Sequence, residues 1–283
     1  MKPRTVFREA LNREGMIVAP GAYDGISARL VEQAGFPAVY MTGAGVSAAR
    51  GFPDYGLLTM GEMVESAGII ARSVGIPLVA DADTGYGNEL NVTRTVREFE
   101  ASGAAAIHIE DQVSPKRCGH LDGKEVTSRE DFILKIRAAV TARRDPDFVI
   151  IARTDARAVL GFDEAIARAN AALEAGADMA FVEAPETMDE LSALPRLVAG
   201  PCLLNIVPGG KTPAVSIVEA RTLGFKLAIL PGLLLGAAVM GGDRALQTLK
   251  ETGAPPSLGG ATIKEAFLRF GASEWDRLLV RQS

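Results

Sequence analysis

An amphipathic stretch that ends at a glycine and gives way to a short apolar run recurs along this chain. It appears as "LVEQAGFPAVYM", "IIARSVGIPLVAD", "REFEASGAAAIHIE", "ALEAGADMAFVEA" and "EARTLGFKLAIL". Glycine just past a helix supplies the left-handed residue that closes its last turn. Apolar runs this short, rich in Ala, Val and Ile and without strict alternation, suit parallel strands buried on both faces. Each unit therefore reads as helix, cap, strand. Counting the strands gives about eight: "MIVAPG", "AVYMT", "PLVADAD", "AAIHIE", "FVIIARTD", "MAFVEA", "CLLNIV" and "KLAIL". Helical stretches such as "DGISARLVEQA", "NVTRTVREFEA" and "SREDFILKIRAAVTARR" separate most of them, the last with Ser128 as its N-cap. This alternation predicts an α/β protein, a (β/α)8 barrel of the TIM type. A doubly wound open sheet would normally carry fewer strands.

The 283 residues accommodate a single barrel domain and leave a tail. "TIKEAFLRFGASEWDRLLVRQS" has apolar residues at helical spacing and lies outside the repeat, so a helical extension over 243–283 is expected on one barrel domain spanning 1–283. Hydrophobic residues at 48% and charged residues at 23% provide for a sizeable core. The net charge of −5 arises from interspersed acids and bases, which argues against nucleic acid or an anionic membrane as partner. Two cysteines cannot form a disulfide framework. The start, "MKPRTVFREALNREG", has no apolar signal core, and no apolar run reaches the ~20 residues of a membrane span. A cytoplasmic protein is expected.

Barrel chemistry gathers at the C-terminal ends of the strands. Polar residues collect at those ends here: Thr42 after strand two, Asp81 and Asp83 in "DADTGYG", Glu110 and Asp111 after strand four, Arg153, Thr154 and Asp155 after strand five, Glu183 after strand six and Asn205 after strand seven. An Asp at one strand end is ordinarily a cap or turn former. Asp81, Asp83 and Glu110 would share one small volume, however, and like charges that close need something positive between them. Carboxylates without a histidine or thiolate cluster suit a hard cation, Mg2+ or Mn2+.

The loop "EDQVSPKRCGH" places Cys118 between Arg117 and Gly119 and near Lys116, surroundings that lower a thiol's pKa. Cys202 starts an apolar strand and reads as core. His108 lies inside a strand and reads as a buried, hydrogen-bonded residue, whereas His120 could pair with an acid or contact substrate. "GAGVSAARG" after strand two lacks the downstream acid of a dinucleotide site, but its backbone amides could receive a carboxylate.

In this order, "DADTGYG", "HIEDQ", "PKRCGH", "ARTDA" and "FVEAP" resemble the isocitrate lyase/phosphoenolpyruvate mutase superfamily, from roughly Phe7 to Gly242, and "KRCGH" resembles its lyase branch. The resemblance implies a barrel with a Mg2+ site and a mobile cysteine-bearing loop, in a homotetramer that exchanges a C-terminal helix between subunits. It makes Asp81 the direct metal ligand, with Asp54, Asp83 and Glu110 holding the metal's waters. Tyr40, Thr42, Gly43 and Ala44 fall among the substrate-binding residues, Arg153 near the reacting oxygen, and Glu183 and Asn205 on the far wall. "NIVPGGKTP" after strand seven resembles the dimethylmalate lyase, oxaloacetate hydrolase and petal-death-protein group, and Gly236 stands where methylisocitrate lyases carry an arginine.

The implied reaction is metal-dependent cleavage of a 2-hydroxy dicarboxylate of the 2-alkylmalate type. Cys118 would be the proton donor, Arg153 the electrostatic partner of the C2 oxygen, and Asp54 a base. Lys116 and His120 would hold the thiolate or the leaving carboxylate. Oxaloacetate hydrolysis and cleavage of the tricarboxylate 2-methylisocitrate are the enzymatic alternatives, and a non-catalytic barrel that binds oxo-acids is the third.

Overall fold

The computed structural model describes residues 1–257 and 262–279. Of the extension expected over 243–283, residues 258–261 and 280–283 lie outside the described residues. Eight parallel strands run β1 Ile17–Ala22, β2 Val39–Met41, β3 Leu78–Asp81, β4 Ala106–Glu110, β5 Val149–Thr154, β6 Met179–Val182, β7 Cys202–Asn205 and β8 Leu227–Leu230. They close into a barrel in chain order, β8 pairing with β1 through Ile17 opposite Leu227. All eight lie where the apolar runs placed them, with helices between, so the chain is a (β/α)8 barrel followed by C-terminal helices.

Side chains alternate across a strand. One set, including Ile17, Val79, Ala106, Val149, Met179, Leu203 and Leu227, fills the barrel interior and packs with Phe7 of the N-terminal helix Pro3–Asn12. Moving two or four residues along the same strands reaches Asp81, His108 and Glu110, Arg153, Glu183 and Asn205. The alternation that buries the apolar residues low in the barrel therefore aims the polar ones into its mouth. The other set packs outward against the helices, for example Ile107, Ile109 and Ile150 with Val96 and Phe99. Each large apolar side chain so buried stabilises the fold by about 1.5–3 kcal/mol.

The expected glycine caps form where φ is positive: Gly35, Gly103, Gly176 and Gly224. Gly75 is the exception. Its helix Met60–Ser73 ends at extended Val74, and the Gly75 amide donates instead to Glu32 Oε1 at 2.6 Å. Ser128 caps its helix as expected, accepting from the Asp131 amide at 3.0 Å.

By contact the chain divides into two compact units, Met1–Leu234 and Leu235–Ser283. The first holds the barrel. The second holds most of the helix Leu233–Thr252 and the helices Ile263–Arg269 and Ala272–Leu278. None of these three helices has a buried residue. Among the described residues no helix is long and apolar enough to cross a membrane.

Candidate active site

The mouth of the barrel is crowded with buried charge. Asp81, Asp83, Glu110, Arg153 and Glu183 are each at most 6% exposed. Asp81 Oδ1 accepts from the Asp83 amide at 2.9 Å, in a turn that holds Asp83 at φ 45°. Glu110 faces Arg153, with Oε2 and Nε 3.2 Å apart, yet among the described residues neither of its carboxylate oxygens receives a hydrogen bond. Arg153 also contacts Asp155 at 3.0 Å and Glu183 at 3.2 Å, and its guanidinium carbon lies 5.1 Å from the centroid of the Phe181 ring. Glu183 accepts from the Ala184 amide at 2.9 Å and from Asn205 Nδ2 at 3.1 Å.

The segment after β4 folds back over this mouth. Its base is pinned by a bridge between Gln112 and Val126 and by Val113 donating to the Glu125 carbonyl at 2.9 Å. Gln112 also grips Arg117, donating to its carbonyl at 2.8 Å and accepting from its amide at 3.0 Å. The intervening tip carries Lys116, Cys118 and His120 inward. Lys116 Nζ lies 2.5 Å from Asp54 and 2.9 Å from Asp83. His120 Nε2 lies 3.4 Å from Glu183, and its Nδ1 accepts from the Lys211 amide at 3.1 Å. Gly119 passes so close to the pocket floor that a Cβ there would lie 2.5 Å from Arg153 Nη2.

Burial pushes the Asp83 carboxyl up to about 6, even with Lys116 beside it. Burial likewise drives Glu110 well above the usual carboxylate range against the pull of Arg153. Lys116, although buried, is held well above the ordinary lysine value by Asp83, Asp81, Glu110 and Asp54. The pocket therefore disfavours ionising all its acids together and welcomes positive charge.

One expectation needs correction. The Cys118 thiol is raised, not lowered, because its partial burial outweighs the His120 backbone hydrogen bond and the Arg153 charge that favour a thiolate, and the two cations beside it in sequence are engaged elsewhere. Lys116 is paired with Asp54 and Asp83, while the Arg117 guanidinium stands 5.8 Å from the centroid of the Tyr55 ring. The stretch after β2 whose backbone amides could receive a carboxylate forms a helix, Gly43–Ala49, capped by Thr42, and a Cβ on Gly43 would lie 2.5 Å from Asp81. His108 is buried as expected, its Nε2 hydrogen-bonded to the Tyr40 hydroxyl at 2.9 Å. That contact sets Tyr40, 3% exposed, among the residues filling the barrel interior beneath the acids. Cys202 is core, with its thiol pushed up to about 12 by burial.

Among the described residues, no three His, Cys, Asp or Glu side chains are gathered tightly enough to hold a metal ion. Lys116 supplies the positive charge between Asp54 and Asp83, and Arg153 supplies it beside Glu110. In kind, the donors still suit a hard cation: oxygen ligands at neighbouring strand ends, with both Glu110 oxygens buried and without hydrogen bonds.

Beneath Arg153 lies a buried network to which the sequence assigned no role. Lys124 Nζ donates to Asp155 Oδ1 at 2.9 Å and, through a short contact, to the Gly119 carbonyl. Asp111 accepts from the Asp155 amide at 2.8 Å, from Thr154 Oγ1 at 2.6 Å and from Arg168 at 3.0 Å. "ARTDA" hinted at Asp155 through its strand-end position. Nothing marked Lys124, since a lysine after Asp-Gly in a polar loop looks like surface.

The phosphoenolpyruvate phosphomutase family model matches residues 7–250. The chain is 50% identical to 2,3-dimethylmalate lyase of Eubacterium barkeri over 82% of this chain and 80% of that protein. Among solved structures, oxaloacetate acetylhydrolase bound to 3,3-difluorooxalacetate superposes with a TM-score of 0.94 at 39% identity, covering 98% of this chain and 97% of that one. Phosphonopyruvate hydrolase in complex with oxalate and Mg2+ superposes with a TM-score of 0.90 at 33% identity, covering 100% and 99%. These matches extend along the barrel, and "KRCGH" sits on the loop that closes over its mouth. The chain therefore belongs to the isocitrate lyase/phosphoenolpyruvate mutase superfamily, in its lyase branch.

Proposed function

We propose that the protein cleaves the C2–C3 bond of a 2-hydroxy dicarboxylate of the 2-alkylmalate or 2,3-dimethylmalate type, releasing an oxo-acid such as pyruvate and a carboxylic acid. The observation that carries this reading is the placement of the Cys118 loop directly over Arg153 and Glu183, with Gly119 in near contact with both. An acid, a cation and a ring of carboxylates thus converge on one buried volume.

In the reaction, the C2 hydroxyl loses its proton, the C2–O bond becomes a carbonyl, and the C2–C3 electron pair passes to C3. Asp54 is the base for that proton, with Lys116 at 2.5 Å to stabilise its carboxylate. Arg153 sets fixed positive charge beside the C2 oxygen. C3 takes a proton from the Cys118 thiol, which its burial keeps protonated and ready to donate. His120 and Asn205, near Glu183, hold the departing carboxylate. Thr42, Gly43 and Ala44, at the start of their helix, receive the carboxylate of the oxo-acid, and Tyr40 supports the floor of the pocket through His108. Asp81, with Asp83, Glu110 and, through water, Asp54, would hold Mg2+ or Mn2+, which when bound supplies Lewis-acid charge to the C1 carboxylate and C2 oxygen.

A dicarboxylate fits better than a tricarboxylate, since a third buried carboxylate would need a cation of its own. Lys211, the candidate for that role, has its ammonium 2.5 Å from the exposed Asp122. The test is oxo-acid release from a panel of 2-alkylmalates, 2,3-dimethylmalate, oxaloacetate and 2-methylisocitrate, scored by kcat/KM. Preference for 2-methylisocitrate would refute the dicarboxylate reading, and oxalate with acetate from oxaloacetate alone would favour the hydrolase. We also propose a cytoplasmic homotetramer built through the C-terminal helices, supported by exposed apolar side chains there such as Met240, Phe267 and Trp275. Light scattering on the intact chain tests the assembly.

A further inference from the structure

Lys116 and His120 tie the cysteine loop to groups that substrate is expected to meet. A third tie does not. Lys124 has a side chain only 1% exposed, yet it sits in a polar loop segment where lysines normally reach into solvent. Its ammonium bridges the Gly119 carbonyl, one residue past Cys118, and Asp155 Oδ1. Asp155 is fully buried and also receives Arg153 through Nε at 3.0 Å and Nη2 at 3.3 Å. Asp155 is itself anchored, its amide donating to Asp111, which Arg168 holds from behind.

We infer that Lys124 is a positioning residue that fixes the cysteine loop over the pocket and Arg153 beneath it through one shared carboxylate, Asp155. A buried ammonium is costly unless paired and hydrogen-bonded, and here both partners are parts that must be in register: the backbone beside the proposed acid and the carboxylate that orients the proposed cation. With Lys124 in place, Cys118 and Arg153 cannot drift independently. The inference rests on the reading that these two groups serve one reaction, but its structural content is separable from that reading.

The experiment uses the full chain and compares wild type with Lys124→Met, which keeps the length and removes the ammonium. Iodoacetamide labelling of Cys118 and Cys202 is followed by mass spectrometry, alongside kcat and KM on the substrate panel. We expect Cys118 labelling to rise about tenfold or more and kcat to fall by a similar factor, as suits loss of a charged, buried hydrogen-bonded tie. KM should change less. Removing a cation would by itself make a nearby thiol less reactive, so faster labelling reports a released loop. Cys202, 2% exposed in the core, is the control for general loosening. Unchanged Cys118 labelling, or an equal rise at both cysteines, overturns the inference. If wild type turns over nothing on the panel while Cys118 labelling still rises in the variant, the tie stands and the proposed reaction falls. Should Lys124→Met not fold, Lys124→Ala, which likewise removes both hydrogen bonds and leaves room for water beside Asp155, is read the same way.

Discussion

Replacing Gly119 with alanine tests whether the cysteine loop must lie as close to the pocket as it does. A Cβ at Gly119 would lie 2.5 Å from Arg153 Nη2, 2.5 Å from Glu183 Cγ and 2.8 Å from Glu183 Cδ. Carbon contacts are comfortable at about 3.5–4.0 Å, so about 1 Å of separation must be found. The floor offers little of it: Arg153 is held by Asp155 and Glu110, and Glu183 by Asn205 and the Ala184 amide. Gly119 has no left-handed φ, so alanine there meets a purely steric obstacle. The loop therefore withdraws and carries Cys118 with it. A misplacement of about 1 Å costs a reaction about a hundredfold, or roughly 2.7 kcal/mol of barrier. We expect Gly119→Ala to lose about that factor in kcat/KM on the best panel substrate while its thermal midpoint stays at the wild-type value, because the loop contributes little to the core. Activity within about threefold of wild type would refute the reasoning, since it would mean that the observed closeness is not needed for turnover.

Cys118→Ser should keep the fold and lose about 10²–10⁴ in kcat, the range of a general acid, whereas Cys202→Ser should keep most activity and show only a lower thermal midpoint from its buried hydroxyl. Equal losses in steady-state rate would remove the distinction. Chelator-treated enzyme should be inactive and recover with Mg2+ or Mn2+, a result that direct titration of metal against the metal-free protein by calorimetry would support and undiminished turnover without metal would contradict. Asp155, buried between Arg153 and Lys124, is pulled down to about 2 from its ordinary value. An acid whose folded value is depressed adds stability above its unfolded pKa and loses it as pH falls toward the folded one, here from about pH 4 to about pH 2. Asp155→Asn should therefore melt lower than wild type at pH 6 by a margin that narrows at pH 3, and a margin that grows on acidification would reverse the sign.

The strand and helix order was determined by the sequence because it rests on local physics. Runs such as "FVIIARTD" and "CLLNIV" have little choice but to be buried strands, and Gly35, Gly103, Gly176 and Gly224 sit where a left-handed residue must end a helix. Closure in chain order then follows from the repetition, and with it the placing of Asp81, Glu110, Arg153, Glu183 and Asn205 at one mouth. Gly75 does not cap its helix because its neighbour Val74 leaves the helix in an extended conformation and the Gly75 amide is satisfied by Glu32, forty-three positions away in sequence. The charge state of Cys118 was likewise beyond the sequence. Neighbouring Lys116 and Arg117 suggested a lowered thiol, but their cations are spent on Asp54, Asp83 and the Tyr55 ring, and burial decides the sign. Lys124 shows the limit most plainly. Its partners are Asp155, thirty-one positions away, and a carbonyl five positions back, and both are reached only once the loop has folded over the barrel. Periodicity and caps are encoded over a few residues, whereas the pairing of buried charges depends on which ones the fold brings within about 3 Å of each other.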